Sequence, residues 1–144
     1  MTTHERYLAR QVVVVGYGRV GKQIVRSLQA SGIPFVVAEE NRESVERLRA
    51  EGVAAVYGNA TDAATLIQAH IATARMLVIA TPETIEVRQM AQTARRLNPT
   101  IEIAVRSHNS EEAALLEAEG TGRVFVGERE LAEAMVRHIE ATLA

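Results

Sequence analysis

Four consecutive valines, Val12 to Val15, run directly into Gly16, Tyr17, Gly18, Arg19, Val20 and Gly21. Apolar residues at helical spacing follow, at Val20, Ile24, Val25 and Leu28. A strand that feeds a helix through glycines at these three positions constrains this chain more than any other feature. The first glycine permits a tight turn, the second lets backbone approach a phosphate, and the third lets the helix pack closely on the strand. The helix then faces the turn with unpaired N–H groups and the positive end of its dipole, which together seat an anion. Gly16, Tyr17, Gly18, Arg19, Val20 and Gly21 are therefore the candidate phosphate-binding residues.

The turn has an acidic companion. A second apolar run, Pro34 to Ala38, ends at Glu39, 21 residues after Gly18, where a carboxylate can accept hydrogen bonds from ribose hydroxyls. Glu40 is the competing acid, and the alternation along Phe35 to Ala38 favours Glu39 as the first polar residue at the strand end. A carboxylate there repels a 2′-phosphate, so NAD(H) or an adenine mononucleotide is expected over NADP(H). Arg42, three residues on, is the feature that opposes this preference, because an arginine there accommodates such a phosphate in other dinucleotide sites.

Four further β-branched or small apolar runs recur at Ala54 to Tyr57, Met76 to Ala80, Ile101 to Val105 and Arg123 to Val126. Helical spacing appears between them, at Val45 and Leu48 and again at Val87, Met90, Ala91 and Leu97. Continuous apolar strands alternating with helices imply a parallel sheet covered on both faces. Right-handed crossovers then predict a Rossmann-like, doubly wound, six-stranded α/β fold, one three-layer domain. Gly32, Gly52 and Gly120 stand where left-handed helix ends are expected. Thr81 before Pro82, and Asn109 three residues before Glu112, mark helix starts. The domain is expected to span residues 11–144, with 1–10 a connector and the last helix, Glu128 to about Leu143, an interaction arm.

Composition removes several function classes. The chain has 144 residues, 16 basic against 18 acidic, and no basic cluster interleaved with aromatics, so nucleic acid is not an expected partner. Cysteine is absent, which excludes disulfides, thiolate metal sites and a cysteine nucleophile. His4, His70 and His138 are scattered without metal-ligand spacing, and no metal is expected. No apolar run approaches the ~18 residues of a membrane span, and the chain as given is expected to be soluble.

In an open α/β sheet, ligands bind beyond the carboxyl ends of the strands. After the third strand come Gly58, Asn59, Ala60, Thr61 and Asp62; after the fourth, Thr81; after the fifth, Arg106, Ser107 and His108. Thr61, Asp62 and Thr81 fit helix capping as well as ligand contact. Asn59 is not explained by capping and suits adenine recognition by its amide or the adjoining backbone. Arg106 pairs either with a phosphate or with a surface carboxylate. His108 has no acid partner evident in sequence.

Together these residues resemble a known family. Val14 to Gly21, Glu39, Gly58-Asn59-Ala60-Thr61 and Val105-Arg106-Ser107-His108 are similar to the RCK/KTN, or TrkA-N, nucleotide-binding domains, over about Gln11 to Arg137. The stretch Gly127 to Glu130 is most like the domain that follows the membrane portion of Kef-type cation:proton antiporters. The resemblance implies a regulatory domain that binds NAD(H), AMP or ATP, forms a homodimer, and biases a linked potassium channel or antiporter at the cytoplasmic face of the inner membrane. Most members carry Asp where this chain has Asn59, a departure that favours a mononucleotide such as AMP. The alternative class is a small NAD-dependent oxidoreductase or its cofactor-binding subunit. Against it, the only lysine, Lys22, lies beside the phosphate turn, leaving no Tyr-x-x-x-Lys pair. A regulatory domain rather than an enzyme is the expected reading.

Overall fold

The computed structural model describes residues 10–81 and 86–144. Six strands are seen among these: β1 (Val12–Val15), β2 (Phe35–Glu39), β3 (Ala55–Tyr57), β4 (Met76–Ile79), β5 (Glu102–Ser107) and β6 (Arg123–Val126). They alternate with α1 (Arg19–Ala30), α2 (Arg42–Ala50), α3 (Ala63–Gln68), α4 (Val87–Leu97), α5 (Ser110–Ala118) and α6 (Gly127–Leu143). One 3-10 turn, Ile71–Thr73, follows α3. The strands form a single parallel sheet in the order β3-β2-β1-β4-β5-β6. The order reverses between β1 and β4, so the expected doubly wound Rossmann-like topology is the one observed.

Side chains along the strands divide between two cores. Val13, Val15, Val36, Leu77, Ile79 and Val105 pack with Leu66 of α3, Met90 of α4 and Leu116 of α5. Val12, Val14 and Val37 face the other way, against Val25 of α1 and Val45 and Leu48 of α2. Along β1, β2 and β3 the period of two thus feeds both helix layers at once, which is why these strands read as unbroken apolar runs.

Among the described residues, the second layer stops halfway. Over β4, β5 and β6 that face carries Val78, Ala104 and Phe125, all half-buried, and a trough of about 430 Å³ runs between them and α1 at Val20 and Ile24. The helix that leaves β6 does not fill it: every residue from 131 to 144 is exposed.

Most boundaries fall within one residue of those expected. β5 is the exception, continuing past Val105 because Arg106 and Ser107 pair with Phe125 and Val126 of β6. Helix α3 carried no periodic signal beyond its start, being only six residues long. Gly32, Gly52 and Gly120 close their helices at φ of 68°, 83° and 71°. Asn109 caps α5, its Oδ1 accepting the Glu112 N–H at 2.7 Å. Pro82 and nearly all of the expected connector, residues 1–10, lie outside the described residues.

Candidate functional site

Each glycine of the turn meets a separate demand. Gly16 takes φ of +97°, a region costly for any side chain, and lies against the Thr81 backbone, where a Cβ would stand 3.1 Å from the Thr81 nitrogen. At Gly21 the helix touches the turn so closely that a Cβ would fall 2.2 Å from the Gly16 carbonyl oxygen. Gly18 is the opposite case. Apart from its chain neighbours, a Cβ there would meet nothing within 4 Å among the described residues, so no contact among them asks for glycine at this position.

The space beside Gly18 faces unpaired donors. Lys22 N–H donates to the Gly18 carbonyl at 2.9 Å, leaving the N–H groups of Arg19, Val20 and Gly21 without an intrahelical acceptor. Asn41 caps α2 through Ser44 N–H at 2.9 Å and Asn109 caps α5, whereas α1, like α3, α4 and α6, has no side-chain cap. Its first turn carries Arg19 and no acid, and Lys22 follows, with its Nζ 5.7 Å from the centre of the Tyr17 ring. Free amides, the positive helix end and two cations together attract an anion.

Glu39 is fixed beside that seat. Its Oε1 accepts the Tyr17 N–H at 2.9 Å, and its Oε2 accepts the Asn41 N–H. The carboxylate is thus aimed by backbone on both sides, with lone pairs to spare for hydroxyl donors. Gly16, Glu39, Glu40, Ala60 and Thr81 share a narrow slot of about 40 Å³ at the strand ends, with Gly58 completing its wall. Such a slot takes one edge of a ligand lying across the sheet and does not enclose it.

The other expected residues divide. Asn59 has a structural role that sequence did not show: its Oδ1 accepts both the Thr61 N–H at 2.9 Å and the Thr61 hydroxyl at 2.7 Å. Because a backbone N–H can only donate, the oxygen must face Thr61, and the side-chain amide group alone remains for a ligand. Asp62 begins α3 without a side-chain cap bond. Arg106 belongs to β5 itself rather than to the loop after it. Its Nη1 donates to the Ala80 carbonyl at 3.3 Å, and with Val20 it borders the apolar trough, on the far side of the turn from Glu39. His108 is exposed just past β5.

A larger groove, about 690 Å³, lies between α4 and the end of α5, away from the glycine turn. Its arginines are engaged locally, Arg88 with Glu119 at 2.6 Å and Arg95 with the Gly120 carbonyl at 2.6 Å. Size alone is a poor guide here, and the geometry of donors puts the candidate site at the turn. No helix among the described residues is long and apolar enough to cross a membrane.

Residues 12–127 match the TrkA-N domain model. Over 133 residues, 92% of this chain, the sequence is 39% identical to YbaL of Escherichia coli strain K12, a protein described as a cation/proton antiporter. The chain spans 24% of YbaL, about a quarter of its length. The solved TrkA-N domain of that inner membrane protein is 40% identical and superposes with a TM-score of 0.84, covering 90% of this chain and 96% of that one. At 21% identity, the Kef C-terminal domain of Shewanella denitrificans in its AMP-bound form shares the fold with a TM-score of 0.76, over 94% of this chain and 82% of that one. The GsuK channel bound to NAD shares it at 24% identity and a TM-score of 0.70, over 83% of this chain and 21% of the channel.

Proposed function

The chain belongs to the TrkA-N domain family, and from that premise we propose that it is a regulatory nucleotide-sensing domain, spanning residues 11–144. It binds NAD(H), AMP or ATP and passes its occupancy to a potassium channel or Kef-type K+/H+ antiporter, at the cytoplasmic face of the inner membrane. The observation that carries this reading is the uncapped start of α1, open at Gly18 and flanked by a backbone-fixed Glu39. Gly16 to Gly21 hold phosphate and Glu39 the ribose, with Glu40 and Thr81 lining the slot beside it. The Asn59 amide and the backbone of Ala60 and Thr61 meet the base, and Arg106 stands by the far end of the phosphates.

The reading is of a binding domain and not an enzyme. Lys22 stands over the face of the Tyr17 ring beside the phosphate turn, on exposed surface, an arrangement suited to attracting an anion rather than to proton transfer at a substrate. Nucleotide shifts the attached transporter only by its differential affinity for two states, which in typical coupling is about 1–3 kcal/mol. A homodimer supplies the second state-dependent surface: Leu131, Met135 and Ile139 form an exposed stripe on α6, and the bare trough over β4 to β6 is a matching apolar face. Calorimetric titration with AMP, ATP, NAD+, NADH and NADPH tests the proposal. Binding of at least one of the first four, with NADPH weakest, is the expected result, and no heat from any of them overturns it.

A further inference from the structure

The parallel register of β2 and β3 sets Glu39 opposite Tyr57. Two residues earlier on each strand, Val37 and Ala55 pack into the core beneath α1 and α2, so Glu39 and Tyr57 leave the sheet on that same face. The Asn41 cap starts α2 at Arg42, which lays the Arg42 guanidinium over the Tyr57 ring at 4.9 Å from its centre. Glu39, Glu40, Glu43 and Glu46 are all close in sequence, yet Arg42 forms no ion pair among the described residues. It lies on an aromatic ring that is itself 46% exposed, and Arg42 is exposed as well.

We propose that Arg42, held over the Tyr57 ring, is the stacking platform for the base of the bound nucleotide. This rests on the nucleotide reading above and adds to it the residue pair that selects for a base. A guanidinium is planar and weakly hydrated; with one face on an aromatic ring, its other face can take a purine ring by stacking and cation–π attraction. The position suits that task, because the ribose carboxylate Glu39 is the strand neighbour of Tyr57, and Gly58, next along the chain, lines the slot. Tyr57 restrains the guanidinium before the ligand arrives, so less side-chain freedom is lost on binding.

The test compares AMP with ribose 5-phosphate, which keeps the phosphate and sugar and lacks the base. Affinities of both are measured, the second by displacement of a fluorescent AMP, for wild type, Gly18→Ala, Arg42→Ala and Arg42→Lys. Arg42→Ala is expected to weaken AMP roughly tenfold, about 1.4 kcal/mol, and to leave ribose 5-phosphate within about twofold. Arg42→Lys, which keeps the charge and loses the flat face, is expected to behave as Arg42→Ala does. Unchanged AMP affinity in Arg42→Ala, equal losses for both ligands, or full recovery with lysine each overturn the platform. Wild type that binds AMP through Gly18 while the Arg42 variants match it removes the platform alone. Wild type that binds neither ligand removes the platform and the nucleotide reading together.

Discussion

The same face of the sheet is finished at one end and unfinished at the other. Over β1, β2 and β3 it lies beneath α1 and α2, with Val25, Val45 and Leu48 almost wholly buried. Over β4, β5 and β6 it is open among the described residues, and α6 departs with its apolar stripe in solvent, Leu131 being 63% exposed. The covered half holds the glycine turn, Glu39 and the Tyr57–Arg42 pair, and so most of the proposed nucleotide site. The open half has everything needed to bury apolar area except a second surface. Val20 and Ile24 of α1 line the trough, so the proposed nucleotide seat directly adjoins the open face.

The contrast breaks most readily at Gly21. Alanine there puts a Cβ 2.2 Å from backbone oxygen, where no rotamer change relieves it, and should cost about 3 kcal/mol or more in urea unfolding. A variant as stable as wild type would mean that α1 is not clamped to the turn as described. Leucine truncation on either side sharpens the comparison. Leu48→Ala, at 2% exposure, should lower stability by about 2–5 kcal/mol, whereas Leu131→Ala measured at high dilution should stay within about 0.5 kcal/mol of wild type. Leu131→Asp with Met135→Asp should leave that dilute-solution stability alone and abolish the proposed homodimer in sedimentation equilibrium. Persistence of the dimer would place its contact elsewhere.

What could be read from sequence follows from where each signal resides. The turn and Glu39 are local: the three glycines sit within six residues, and the acid's distance is set by one helix and one strand. Strand positions were legible because apolar side chains occupy both faces of the sheet, half-buried on the uncovered face of β4, β5 and β6, and so write continuous apolar runs. The end of β5 was not, since Arg106 and Ser107 are strand residues only through β6 pairing. Asn59 reads as a ligand residue in sequence because Gly58-Asn59 fits equally an exposed contact and the Asx turn observed, in which its oxygen is spent two residues away on Thr61. The Arg42–Tyr57 contact depends on strand register, which places residues 15 apart in sequence face to face. The half-covered sheet was invisible for a similar reason. A parallel strand reads the same whether its second helix layer comes from its own chain or from another.

The most direct test of the nucleotide seat is thermal melting of wild type and Gly18→Ala, each with and without AMP or NAD+. Apart from its chain neighbours, nothing among the described residues lies within 4 Å of a Cβ at Gly18, so without ligand the two proteins should agree within about 1 kcal/mol. At a ligand concentration 100 times its Kd, wild type should gain about 2.7 kcal/mol and Gly18→Ala almost none. Equal gains in both proteins, or no gain in wild type with either nucleotide, would contradict the assignment of the glycine turn as the site where a regulatory nucleotide binds.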